Sequence, residues 1–277
     1  MSDSHSSPER LAQLRHVVLD MDGTIYLDEQ LFAETKPFLQ VLSETGIGYS
    51  FITNNNSLSR AEYLTRLERM GLPTPAESLV TSAHAAAAYL ERHLPLVKQP
   101  FVLGTPGLIE DLRLAGYLHE ETSPDCVVVG FDRTLDYDKL CRASHWVSTG
   151  LPYLATHPDR VCPTKDATVL PDCAAICALI ESATGRKPDA IPGKPSPAML
   201  EGLLTKLSLR PEEMAMVGDR LYTDIRMAVT AGAIGVLTLT GEAVEADLIG
   251  SDVRPDLVIQ DLADFAEQLV AARHSDS

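Results

Sequence analysis

Apolar and polar positions along this chain follow two alternating periods. Short runs of β-forming residues at 17–19, 48–53, 101–103, 126–129, 153–156, 214–217, 234–239 and 257–259 are bounded by turn residues and predict buried strands. Between them, apolar side chains recur at helical spacing. Phe38, Leu39 and Leu42 do so in 33–45, before Gly46, and Tyr63, Leu64, Leu67 and Met70 form the next set. Helices are likewise predicted over the alanine-rich 81–94, over 136–149, over 173–183 before Thr184 and Gly185, and over 197–207, 225–231 and 262–272. Strand and helix alternating this regularly predict an α/β protein, a doubly wound, Rossmann-like parallel sheet with helices on both faces. Residues 1–13 and the last four read as frayed tails, and GDRLYTD as a loop.

A length of 277 residues exceeds the usual single domain and predicts a large domain or one carrying an insertion. The Pro- and Gly-dense segment KPDAIPGKPSP, 187–197, marks a connection, so the middle third is a candidate domain of its own. A formal net charge of −16 argues against a nucleic-acid or anionic-membrane surface, because such partners need a positive field. An anionic substrate would need local groups to overcome that field. The chain has no apolar run long enough to span a bilayer and no signal-peptide pattern, which predicts a cytoplasmic protein. Five cysteines without C-x-x-C pairs or zinc spacing argue against a disulfide framework; Cys173 and Cys177 read as core residues on one helix.

Candidate chemistry begins at His16–Tyr26, HVVLDMDGTIY. A buried strand ending in D-x-D-G-T sets Asp20 at the carboxyl edge of a parallel sheet, where ligand sites form, and Gly23 lets the backbone turn away. Two carboxylates this close need a cation or a proton between them. An acidic turn at a strand end is the other reading of the same residues. Three further loops carry polar groups: Thr53 with Asn54 and Asn55, Lys194 in the Pro/Gly turn, and Asp219 with Asp224. Strand ends of a doubly wound sheet share one edge, so residues distant in sequence can converge there. Carboxylates, a lysine and a threonine together suit Mg²⁺ and a phosphoryl group.

The motifs DMDGT, ITNN, GKPSP and GDRLYTDI resemble, in order, the four motifs of the haloacid dehalogenase-like superfamily of phosphohydrolases. The segments VVVGFDRTLDYDKL, LATHPD and IESATGRKP resemble the α/β cap of its NagD-like, 4-nitrophenylphosphatase-type branch. The resemblance implies a catalytic core at 14–82 and 190–273 and an inserted α/β cap at 83–189 that recognises substrate. It implies a Mg²⁺-dependent phosphatase acting on a small phosphorylated metabolite, a sugar phosphate or nucleoside monophosphate, through an aspartyl-phosphate. Asp20 matches the nucleophile and Asp22 the acid/base; Thr53 and Lys194 match groups that hold the phosphoryl oxygens. Asp20, Asp219, Asp224 and the Asp22 main-chain carbonyl match the metal shell. Gly23, Asn54 and Asn55 fall in the phosphate- or substrate-binding loops. His157 stands where related caps often carry asparagine, and reads either as a substrate contact or as an exposed loop histidine. Asp172 departs from a glycine-rich pattern, and reads either as a helix N-cap or as an acceptor for a substrate hydroxyl. A homodimer through the cap is expected by analogy. A phosphomutase or phosphotransferase on the same core, and a non-catalytic regulator that binds a phosphorylated metabolite, are the alternative functions.

Overall fold

The computed structural model describes residues 7–162 and 168–274. In chain order, α1 (Ser7–Ala12) precedes β1 (His16–Asp20), the short hairpin of β2 (Tyr26–Leu27) and β3 (Gln30–Leu31), α2 (Thr35–Glu44) and β4 (Gly48–Thr53). Then come α3 (Arg60–Arg69), β5 (Leu79–Thr81), α4 (Ser82–His93), β6 (Pro100–Leu103), α5 (Pro106–Leu114), β7 (Cys126–Val129), α6 (Tyr137–Ser148) and β8 (Tyr153–Ala155). The pair β9 (Val161–Cys162) and β10 (Leu170–Pro171) leads to α7 (Cys173–Thr184). The chain closes with α8 (Ala198–Leu207), β11 (Met214–Gly218), α9 (Arg226–Ala231), β12 (Ile234–Thr238), β13 (Leu257–Ile259) and α10 (Leu262–His274).

Packing divides the chain into one compact unit of residues 1–52, 70–72 and 195–277 and a second of 53–69 and 73–194. The division assigns 53–69 and 73–82 to the second unit, whereas the motif-based boundary begins the cap at 83.

In the first unit the strands lie in the order β13-β12-β11-β1-β4, all parallel. Every residue of β1, β11 and β12 is buried, as expected for strands covered on both faces by helices. On one face, the rings of Phe38 in α2 and Phe265 in α10 stack at 5.5 Å. The chain places β4 on one side of β1 and later returns to place β11 on the other, so the strand order reverses at β1. Ligands of open α/β sheets bind at the carboxyl ends of strands beside such a reversal. The register Leu19↔Val217 brings the carboxyl ends of β1 and β11 level, and Asp20 and Asp219 sit at or just beyond them.

In the second unit β6, β7 and β8 form a parallel three-stranded sheet. Alternation divides its side chains between two cores. Phe101, Leu103, Val127 and Val129 pack with Ala143 and Val147 of α6 and Ile176 and Ile180 of α7. Val102, Cys126 and Val128 pack with Leu90 of α4 and Leu108 and Leu112 of α5. Cys173 and Cys177 are buried in the first of these cores, and all five cysteines are free thiols. No helix among the described residues is long and apolar enough to cross a membrane.

Two expectations are corrected. The N-terminal segment is not wholly a tail: α1 forms over Ser7–Ala12, with Leu11 and Leu14 buried and Arg10 ion-paired to Asp256. Arg273 donates to the carbonyl of Leu14 at 2.7 Å, tying this segment to α10. The C-terminal helix reaches His274; residues 1–6 and 275–277 of the expected tails lie outside the described residues. GDRLYTD, read as a loop, is largely a π-helical turn over Leu221–Ile225.

Candidate active site

The acidic site of the first unit is built at the ends of β1 and β11. Oxygens of Asp20, Asp219 and Asp224 lie within 4.8 Å of one another, and all three residues are buried, at 6%, 3% and 0% exposure. Three buried carboxylates in this space repel one another unless a cation is shared among them. Hard oxygen donors without sulfur or imidazole suit Mg²⁺, so the donor set fits that ion. The π-helical turn, in which Ile225 N–H reaches the Arg220 carbonyl at 3.2 Å, folds the Asp224 carboxyl back over Gly218. There one of its oxygens accepts the Arg220 N–H at 3.2 Å. Asp219 accepts the Glu242 N–H at 2.7 Å, which fixes its rotamer.

Gly23 is required where it stands. Its φ is +84°, and a Cβ there would collide with Oδ2 of Asp219. Its carbonyl accepts from Thr240 Oγ1 at 2.7 Å. Asp22, half-buried, lies outside the three-carboxylate group among the described residues; its Oδ2 accepts from Tyr26 Oη at 3.2 Å.

Arg220 was not singled out in the sequence. Burial works against its charge, but Asp219, Tyr222, Asp20 and Glu242 outweigh that and push its pKa up. It pairs with Glu242 at 2.8 Å. A basic residue directly after a metal-type aspartate was the available signal. Its partner Glu242 comes from a distant loop with no signal of its own.

The remaining candidates belong to the second unit. Thr53 directly follows Ile52, the register partner of Asp20 on β4. It is buried, and its Oγ1 accepts the Asn55 N–H at 3.1 Å. Asn55 Oδ1 accepts from Ser57 N at 3.0 Å and Ser57 Oγ at 2.8 Å, an Asx-turn arrangement. Lys194 is 4% exposed. Asn54 bonds both sides of its backbone, accepting its N–H at 2.9 Å and donating to its carbonyl at 3.0 Å.

His157 and Asp172 are both buried and bonded to each other, Nε2 to Oδ1 at 2.8 Å. The other ring nitrogen, Nδ1, faces Thr156 Oγ1 at 2.8 Å. Burial opposes charge on this ring, but the Cys173 sulfur and the Asp172 carboxylate outweigh it and push the imidazole up to about 9. Burial also drives the Cys173 thiol well above its usual value. Asp172 also caps α7 by accepting the Cys173 N–H. The loop histidine is therefore not exposed, and of the two readings of Asp172 the N-cap is the one observed. Ligand atoms of His157, Asp159 and Asp172 also lie within 4.8 Å of one another. That group is knitted by its own hydrogen bonds, His157 to Asp172 and Asn54 to Asp159, rather than left as bare like charges.

Residues 17–118 match the family of haloacid dehalogenase-like hydrolases, and 191–265 match a HAD-hydrolase-like family. A dihydroxyacetone phosphatase of Corynebacterium glutamicum is 32% identical over 90% of this chain and 89% of its own length. The ribonucleotide monophosphatase NagD of Escherichia coli is 32% identical over 91% of this chain and 98% of its own. The chain belongs to the haloacid dehalogenase-like hydrolases, in their NagD-like phosphatase branch. Among solved structures of this family, a 4-nitrophenylphosphatase from Thermotoga maritima is 41% identical with a TM-score of 0.88, covering 93% of this chain and 98% of that one. A glycerol phosphate phosphatase from Mycobacterium tuberculosis, in complex with magnesium, is 29% identical with a TM-score of 0.85, covering 93% of this chain and 78% of that one. As a NagD-like phosphatase, the chain hydrolyses phosphomonoesters.

Proposed function

We propose that this phosphatase is Mg²⁺-dependent, works through an aspartyl-phosphate on Asp20, and acts in the cytoplasm on a small sugar phosphate or nucleoside monophosphate. The observation that carries the reading is the buried group of Asp20, Asp219 and Asp224, whose oxygens share a space of one cation's size. Mg²⁺ bound there would screen the anionic nucleophile from the phosphate dianion.

In this reading an Asp20 oxygen forms a bond to phosphorus as the bond to the leaving oxygen breaks, and Asp22 gives that oxygen its proton. Asp22, now a carboxylate, takes a proton from water as the water attacks the aspartyl-phosphate, which releases inorganic phosphate and restores Asp20. Tyr26, bonded to Asp22, orients the carboxyl through this exchange. Thr53 and Lys194 hold the phosphoryl oxygens. The named activities of the relatives, on dihydroxyacetone phosphate, ribonucleotides and nitrophenyl phosphate, support a small ester as substrate without choosing one.

The test is release of inorganic phosphate from 4-nitrophenyl phosphate and from a panel of phosphorylated metabolites, with Mg²⁺ and with chelator, for the wild type and Asp20→Asn. Mg²⁺-dependent turnover that the substitution abolishes is expected. Turnover by folded Asp20→Asn near the wild-type rate would remove Asp20 as nucleophile, and unaltered turnover in chelator would remove the metal.

A further inference from the structure

We propose that the Asn54 side chain positions Lys194 and is not itself a ligand of phosphate. The inference rests on the reading of Lys194 as the group that holds phosphoryl charge. An amide side chain has two N–H donors and one carbonyl acceptor. At Asn54 all are committed within the second unit. Oδ1 accepts the Lys194 N–H at 2.9 Å, Nδ2 donates to the Lys194 carbonyl at 3.0 Å, and Nδ2 also lies 3.2 and 3.4 Å from the two Asp159 oxygens. The assignment of oxygen and nitrogen is fixed by the partners, since an N–H must meet the oxygen and a carbonyl must meet the nitrogen. A phosphate ligand must present a donor to an anion, and this amide has none to give.

The surroundings are shaped for the same purpose. Asn54 is 4% exposed, and its own carbonyl accepts from Ser82 Oγ at 2.6 Å. Gly193 packs flat on the amide: a Cβ there would lie 2.8 Å from Asn54 Oδ1 and would strike the Thr156 carbonyl. The lysine before which this glycine stands is thus held at its peptide group, and the direction in which its side chain leaves the backbone is set. Asp159 is the third member. Its carbonyl accepts the Ala174 N–H at 2.9 Å, at the start of the helix capped by Asp172. The His157–Asp172 pair and the Asn54–Lys194 clamp therefore share one loop, 157–160.

The test is a double-substitution cycle of Asn54→Ala and Lys194→Ala, read on kcat/KM and on binding of inorganic phosphate, together with hydrogen exchange at the Lys194 amide. Asn54→Ala should lower kcat/KM by about 10- to 100-fold, the scale of a misplaced catalytic group. On the Lys194→Ala background it should cost less than about twofold, and the Lys194 amide should exchange faster than in wild type or Asn55→Ala. Effects that multiply, or an unchanged Lys194 amide, would overturn the inference and leave the role of Lys194 standing. Wild-type turnover by Lys194→Ala would overturn both. Should Asn54→Ala fail to fold, Asn54→Asp with and without Asp159→Asn carries the same test. The first places two carboxylates together and should lose activity, the second substitution should restore part of it, and no restoration counts against the clamp.

Discussion

Nε2 of His157 lies 2.8 Å from Oδ1 of Asp172, with the two side chains 0% and 4% exposed. A buried ion pair is costly to break because one charge is then left without its partner. The folded chain holds the His157 proton up to about pH 9, against 6.5 for an ordinary histidine. Its contribution to stability is therefore fully present below pH 6.5 and is lost as pH rises through about 9. Urea midpoints measured across this window should fall for the wild type. His157→Asn should be less stable below about pH 9, where the pair contributes, and lack this alkaline fall, and a wild-type midpoint that stays level would show that the pair is not ionised.

Acid should act through different histidines. His84 accepts the Thr81 N–H with Nδ1 at 3.2 Å, and His16 faces Ser50 Oγ at 2.9 Å. Burial, with Arg60 nearby, lowers His84 to about 4; burial, with Lys206, does the same for His16. Folded values below the ordinary 6.5 mean that stability is present above pH 6.5 and declines as pH falls from there toward 4. Thermal midpoints taken between pH 7 and 4.5 should show the decline, and His84→Gln should reduce its slope.

Magnesium should raise the melting temperature, by the equivalent of about 2.7 kcal/mol when its concentration is a hundredfold above Kd. Asp224→Asn should lose most of that shift. In chelator the same variant should melt above the wild type, because one of three crowded buried charges is gone while the amide oxygen can still accept the Arg220 N–H. Equal metal shifts in both proteins would take the cation away from this group.

Gly23→Ala should be harmful on two counts. The left-handed backbone at φ +84° costs a non-glycine residue about 1–3 kcal/mol. The added methyl also displaces Asp219. Calorimetry should report the first effect, and loss of kcat in protein that is still folded should report the second. Wild-type kcat would mean that Asp219 can shift without consequence.

The strands could be read from the sequence because parallel strands covered on both faces are continuous apolar runs; 48–53, 126–129 and 257–259 form with the bounds expected. Helix α1 could not, since six residues gain little from propensity and are held by Leu11, Arg10 and the distant Asp256 and Arg273. The carboxylates of DMDGT and GDRLYTD were legible because each closes a strand. The π-helical turn that folds Asp224 over Gly218 has no sequence period to announce it. The buried state of His157 was equally hidden: a histidine beside a proline in a loop looks exposed until Asp172, Thr156 and Ser82 are seen around it.

The clamp by Asn54 has a consequence for the architecture of the chain. The second unit begins at Thr53 and ends at Lys194, and one side chain at its entrance hydrogen-bonds both the N–H and the carbonyl of the residue at its exit. Residues 70–72 apart, the chain of that unit therefore starts and finishes side by side. In the proposed clamp, a change that parts these two ends also frees the backbone of Lys194.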